Sequence, residues 1–394
     1  MNPSEAALLV VDDNEDNRYT LTRRLKREGY TDLTTANDGR QALALLQLRA
    51  FDLVLLDIMM PEMNGYQVLE QLKADGRLQD LPVIMISALD ESESVIRCVE
   101  LGAEDYLAKP FNPTLLRARV GASLEKKRLR DAVRASLERL EQELDAARAL
   151  QLGMLPDTFP SWSAEQSVEG YALMEPAKEV GGDLYDFFDA GQGVFCFLVG
   201  DVSGKGAPAA MFMARTRSLV RMAVDLWSRL GTEPASPADI AAAVNRELCQ
   251  NNRDRMFVTV FLGFLDTKTG AIAYVNAGHL GPHILHGSGD VESITGRPEA
   301  PLGVRLGSQY QNRTLTLPPG DAVFVCTDGV IEAMNETEEL YSIARLEANL
   351  RASCTRTPEE MVRAVKANVD AFTGKAPKAD DVTMLALRWK PAQA

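Results

Sequence analysis

Residues 123–155 read SLEKKRLRDAVRASLERLEQELDAARALQLGML, and this stretch divides the chain. Leu124 to Leu152 contains neither Gly nor Pro and is rich in Leu, Ala, Glu, Arg and Lys, which lose least on entering a helix. Val133, Leu137, Leu140, Leu144 and Ala147 recur in a 4-3-4-3 rhythm that keeps one apolar seam facing a partner helix. Upstream, Lys126 and Arg130 fall on the seam and weaken it. Gly153 and Pro156 mark the helix end. The plainer alternative is a solvated spacer with one face on its own domains. Strands alternating with helices precede the stretch; a β-rich sequence dotted with Gly-Asp pairs follows it. The expectation is a helical connector between an input and an output, pairing in parallel with its copy in a homodimer.

Ahead of the connector, Ala6–Val11 is an apolar run ending in Asp12-Asp13, Phe51–Leu56 one ending in Asp57, and Pro82–Ile86 one ending in Ser87. Helical patterns follow them at 17–27, 65–74 and 92–101. Short buried strands alternating with helices predict an α/β doubly wound parallel sheet, whose ligands bind at the carboxyl ends of the strands. Those ends carry Asp12, Asp13, Asp57 and Ser87, and a further strand precedes Lys109-Pro110, whose peptide bond is a candidate for cis. Converging carboxylates repel one another and need a cation; an all-oxygen site favours Mg²⁺.

Asp12-Asp13, LVLLDIMMPEMNG around Asp57, MISA with Ser87 and YLAKP with Lys109 resemble the receiver domain of two-component response regulators, a flavodoxin-like fold of five parallel strands, over residues 4–122. The resemblance implies that Asp57 accepts a phosphoryl group from a sensor histidine kinase or phosphotransfer protein. It implies that Asp13 binds Mg²⁺ directly, Asp12 mainly through water, and Met59 through its carbonyl. Lys109 would steady the phosphoryl oxygens, Ser87 would turn toward them, and Tyr106 would be the rotating switch aromatic. Read singly, the aspartates could be strand-end turn residues, Lys109 a surface lysine and Tyr106 a packing aromatic.

Beyond the connector, 156–391 has strand-like runs at 194–199, 257–265, 271–275, 322–326 and 384–389, with helical patterns at 207–227, 237–249 and 358–372. Segregated strands and helices predict α+β. The methionines of 207–227 read as core. Five segments carry chemistry: GGDLYD (181–186), GDVSGKG (200–206), NAGH (276–279), TDG (327–329) and DDVT (380–383). Glycine lets the backbone approach a ligand closely. Separated carboxylates without a matching His or Cys cluster favour Mg²⁺ or Mn²⁺ over Zn²⁺. GDVSGKG lacks the GxxxxGK[ST] spacing of a phosphate-binding loop.

Together these segments resemble the SpoIIE/RsbU-type branch of the metal-dependent protein phosphatases, the PPM or protein phosphatase 2C fold, a β-sandwich flanked by helices. The resemblance implies that Asp201 bridges two Mn²⁺ or Mg²⁺ ions, with Asp183 and the Val202 carbonyl completing one site and Asp328 and Asp380 the other. Asp381, Lys205 and His279 are candidate supporting or substrate-facing residues. The implied substrate is phosphoserine or phosphothreonine on a protein, often an anti-sigma-factor antagonist. The rival reading is a non-catalytic adaptor that binds a sigma factor or its regulators through the same fold. Such an adaptor is expected to lose metal carboxylates, and all four are present.

Composition agrees. The 394 residues suggest two domains, and 46% hydrophobic residues fill two cores. A net charge of −14 and a pI near 4.9 argue against a nucleic-acid or anionic-membrane partner. Nothing after Leu155 resembles a helix-turn-helix. Five scattered cysteines without CxxC spacing read as reduced thiols of a cytoplasmic protein. Neither a signal-peptide pattern nor an apolar run of about 20 residues is present, so neither secretion nor a membrane span is expected.

Overall fold

Five strands, β1 (Ala7–Val11), β2 (Asp32–Ala36), β3 (Leu53–Asp57), β4 (Val83–Ser87) and β5 (Asp105–Ala108), form a parallel sheet ordered β2-β1-β3-β4-β5 in the computed structural model. The structure describes residues 5–88, 92–160, 167–230 and 236–391. The chain divides into two units, Met1–Glu141 and Gln142–Ala394. In the first, helices α1 (Glu15–Arg27), α2 (Gly39–Leu48), α3 (Gly65–Ala74), α4 (Ser92–Leu101) and the start of α5 (Pro113–Leu152) alternate with the strands. β1 explains the apolar runs: Leu9 and Val11 join one core, Leu8 and Val10 the core on the opposite sheet face. Each such Leu contributes about 2 kcal/mol by leaving water. Side-chain caps start the helices: Asn14 accepts from Asp16 and Asn17 at α1, and Asn64 with Gln67 forms a capping box at α3.

The helix expected from Ser123 is the later part of α5, which begins at Pro113 and runs without a break. Leu116 and Val120 anchor its start in the receiver core, whereas Val133, Leu137 and Leu140 are exposed and Leu144 is half-buried.

The second unit has two antiparallel sheets. One contains β7 (Leu184–Gly191), β8 (Val194–Val202), β9 (Val258–Asp266), β10 (Ala271–Ala277) and β13 (Arg313–Thr316). The other contains β6 (Val168–Glu175), β11 (His283–Leu285), β12 (Val291–Ser293), β14 (Ala322–Cys326) and β15 (Val382–Trp389). Phe197, Val199 and Phe261 of the first meet Val323, Leu385 and Leu387 of the second in a shared core. The alternate residues face outward. Cys196, Leu198 and Leu262 pack under α6 (Ala207–Leu230) and α7 (Pro237–Cys249). Phe324, Met384 and Ala386 pack under α9 (Ser342–Arg351) and α10 (Pro358–Thr373), while α8 (Asp328–Ile331) is one turn after β14. A strand such as β14, AVFVC, is apolar throughout because both its faces are covered.

Two methionines correct the reading of α6: Met213 is core, but Met211 and Met222 are 73% and 60% exposed. All five cysteines are free. Among the described residues, no helix is long and apolar enough to cross a membrane.

Candidate active site

In the receiver unit, β1, β3, β4 and β5 end side by side, which brings Asp12, Asp57, Ser87 and Lys109 to one sheet edge. Asp12, Asp13 and Asp57 each offer an oxygen within 4.8 Å of the others. Lys109 Nζ lies 2.8 Å from Asp12 Oδ2 and 2.9 Å from Asp57 Oδ2. Burial, opposed by Lys109, leaves the Asp57 carboxyl above its ordinary pKa. Burial pulls Lys109 down, but its contacts with Asp12 and Asp57 outweigh it and hold the amine above the usual lysine value. Asp12, Asp57 and Ser87 are buried, Asp13 and the Met59 side chain exposed. Tyr106 is half-buried against the core. The Lys109–Pro110 peptide bond is cis. Arg18, which the sequence reading passed over, donates to the carbonyls of Asp12 at 2.7 Å and Asp13 at 2.9 Å.

In the second unit, Asp183 precedes β7, Asp201 lies near the end of β8, Asp328 opens α8 and Asp380 lies just ahead of β15. Their charges act on one another. Burial, then the Asp201 charge, pushes Asp183 well above the carboxylate range. Burial, then Asp328 and Asp380, pushes Asp201 up to about 7. Burial, then Asp380, raises Asp328. Asp201 is thus the common member of two groups, one with Asp183 and one with Asp328 and Asp380. Among the described residues, no three of these four reach the mutual spacing of the receiver trio. An all-oxygen donor set spread over two groups that share one carboxylate fits a pair of hard divalent cations. The backbone fits as well. A Cβ on Gly182 would stand 2.9 Å from the Val202 carbonyl oxygen, so only glycine lets that loop approach the strand so closely.

Both carboxylate oxygens of Asp381 are engaged by backbone amides: Oδ1 accepts from Ala177 N at 2.7 Å and Oδ2 from Gly182 N at 2.7 Å. Lys205 Nζ lies 3.0 Å from Asp380 Oδ1 and donates to the Ala379 carbonyl at 2.5 Å. Lys178 is exposed. His279 is buried, its Nδ1 2.9 Å from Thr259 Oγ1, and burial lowers its pKa to about 4, which keeps the ring neutral. Thr259 is paired with Asp201 across β8 and β9.

Three partners escaped the sequence reading. Thr327 Oγ1 donates to Asp183 Oδ2 at 2.8 Å and accepts from Thr383 N at 3.0 Å. Buried Asp186 holds Arg217 at 3.0 Å and Arg221 at 2.6 Å, pinning α6 to β7. Gln151, in the last turn of α5, contacts Gly181. Thr327 and Asp186 lie within the quoted motifs TDG and GGDLYD, which was the one available signal; Gln151 carried none.

Comparison with known proteins identifies the family and the fold of both units. The model for stage II sporulation protein E (SpoIIE) matches residues 191–390, and that for the response regulator receiver domain matches 8–121. The chain is 30% identical over 265 residues to Protein IcfG of Synechocystis sp., covering 62% of this chain and 41% of that protein. It is 35% identical over 163 residues to the alkaline phosphatase synthesis transcriptional regulatory protein PhoP of Bacillus subtilis, covering 41% and 65%. The chain spans about half the length of the curated relatives it matches. The SiaA-PP2C domain of Pseudomonas aeruginosa shares the fold, with a TM-score of 0.56 and 22% identity over 65% of this chain and 99% of that one. The RsbU and RsbW domains of a Mycobacterium tuberculosis protein give a TM-score of 0.50 and 25% identity, covering 61% and 63%. The chain belongs to the SpoIIE family, carrying a PP2C-like phosphatase domain joined to a response-regulator receiver domain.

Proposed function

We propose that this is a two-component response regulator in which phosphorylation of Asp57 controls a metal-dependent protein serine/threonine phosphatase. We assign residues 4–122 to the receiver, 123–155 to a helical linker and 156–391 to the phosphatase. The reading rests on the crowding of carboxylates around Asp201, which is opposed by the charges of Asp328 and Asp380 and in turn opposes that of buried Asp183. Two Mn²⁺ or Mg²⁺ ions bound there supply the charge that lowers the pKa of water and screens a phosphoryl group. Asp201 contributes to both positions, Asp183 and the Val202 carbonyl to one, Asp328 and Asp380 to the other. Thr327 fixes the rotamer of Asp183. Asp381 shapes the Gly182 loop, and neutral His279 braces Thr259 beside Asp201. Lys205, on the Asp380 side, is the candidate contact for substrate phosphate.

At the receiver edge, Asp12, Asp13, Asp57 and the Met59 carbonyl hold Mg²⁺. Lys109 and Ser87 receive the phosphoryl oxygens, and Tyr106 reports the change. The donor is a histidine kinase or phosphotransfer protein, and the chain acts in the cytoplasm. The substrate class is a phosphorylated anti-sigma-factor antagonist, a reading supported by likeness to RsbU and RsbW domains. The adaptor reading needs no metal, and one assay separates the two. Hydrolysis of a phosphorylated antagonist protein should require Mn²⁺ or Mg²⁺ and stop in EDTA. Asp201→Ala should lower the rate more than about 100-fold, because it removes the group shared by both positions. Undiminished turnover by that variant sinks the two-metal assignment. Binding without hydrolysis by the wild type favours the adaptor.

A further inference from the structure

We propose that Gln151 is a positioning residue for the phosphatase site: it fixes the loop that presents Asp183 and ties it to the last turn of α5. The inference rests on the phosphatase reading above. Gln151 is 4% exposed. Its Nε2 donates to the Gly181 carbonyl at 2.6 Å, and its Oε1 accepts from Gly181 N at 3.1 Å. A carboxamide is the neutral side chain that carries a donor and an acceptor side by side, so it satisfies both backbone groups of one residue. The next amide, Gly182 N, is taken by Asp381 Oδ2, and a Cβ on Gly181 would stand 2.5 Å from that same oxygen. The loop therefore has no slack toward Asp381.

A second contact grips the other flank of Asp183. Leu155 is buried in the sandwich core, and the Pro156 carbonyl accepts from Tyr185 Oη at 2.9 Å. Residues 151–156 thus hold Gly181 and Tyr185, each two positions from Asp183. A buried polar group stripped of its partner is costly, so the end of α5 and the Asp183 loop move as one piece. Displacing the last turn of α5 changes the geometry that Asp183 offers a cation.

The test uses the full chain with Asp13→Ala added throughout, so that the receiver contributes no metal binding. Gln151→Met keeps the length of the side chain but makes neither hydrogen bond. Mn²⁺ affinity is read by titration calorimetry, and amide hydrogen exchange at 181–185 is read in EDTA. Gln151→Met should weaken Mn²⁺ binding about tenfold or more, the usual effect of removing a partner behind a metal ligand, and speed exchange. Wild-type affinity and exchange in folded Gln151→Met overturn the proposal. Were the parent to bind no Mn²⁺, the phosphatase reading would fail while exchange in EDTA still judged the clamp. Tyr185→Phe removes the second contact alone. If Gln151→Met does not fold, unchanged exchange at 183–185 in Tyr185→Phe overturns the clamp, and faster exchange there supports it.

Discussion

Asp201 carries a strongly opposed charge, since burial and then Asp328 and Asp380 all favour its neutral form. The sign for stability follows. Its folded pKa, about 7, exceeds the ordinary 3.8, so folding takes up a proton. The penalty is absent below the unfolded value and complete above the folded one. In EDTA, this site should therefore regain stability as pH falls from about 8 to about 5.5. Asp201→Asn should remove that share of the pH dependence while abolishing metal-dependent hydrolysis. Its melting temperature in EDTA at pH 8 should rise by roughly 2–4 °C, the equivalent of about 1 kcal/mol for a unit of this size, discounted for partial exposure. A lower melting temperature would show that contacts favouring the Asp201 carboxylate outweigh its burial and its repulsion by Asp328 and Asp380. Lys109 shows the opposite balance: two carboxylates within 2.9 Å overcome its burial and keep it charged at the receiver edge.

At the scale of the element, α5 is one uninterrupted helix whose environment changes along its length. Its start is held by Leu116 and Val120. Farther on, Leu129, Val133, Leu137 and Leu140 are more than half exposed, an apolar stripe that a monomer would not favour. The stripe reaches one turn upstream of the seam read from the rhythm, because Leu129 lies four residues before Val133. Lys126 and Arg130 line the same surface groove. An isolated coiled coil of this length is marginal, so parallel pairing should be reversible. Leu140→Asp with Leu144→Asp puts two charges on the seam and should raise the dimer dissociation constant more than about 100-fold. Sedimentation of wild type and variant, with and without receiver phosphorylation, reads this directly. Identical monomers in every condition would assign α5 to an intramolecular role.

At the scale of the whole molecule, two sites with opposite electrostatic demands share one chain. The receiver edge keeps a cationic lysine against its acids, which suits capture of a phosphoryl group on Asp57. The phosphatase edge concentrates acids, which suits divalent cations. A small phosphodonor with Mg²⁺ should add one base-labile acyl phosphate to the wild type and none to Asp57→Asn. The same treatment should change the phosphatase rate of the wild type and leave that of Asp57→Asn unmoved. Label retained on Asp57→Asn would identify another acceptor. A phosphodonor response surviving in that variant would detach the two halves of the mechanism.

The sequence by itself determined the receiver sheet, the α+β character of the second half and the identity of the acidic motifs. Strand ends such as Val11–Asp12 and Leu56–Asp57 are local signals, in which an apolar run stops at a charge. Helices α7 and α10 were legible for a similar reason, since Ser236-Pro237 and Thr357-Pro358 announce their starts. β7 was not, because LYDFFDAG interrupts its apolar residues with acids, one of them Asp186, which is neutralised by arginines more than 30 residues away. The exposed faces of Met211 and Met222 were also undecidable, since a methionine fits core and surface alike. Only the tertiary structure decided which groups stand behind the aspartates. Thr327 reaches Asp183 across 144 residues and Gln151 reaches Gly181 across 30. Such pairs leave no period or spacing in a sequence, because a hydrogen bond depends on where the folded backbone brings a donor, not on where the donor lies along the chain.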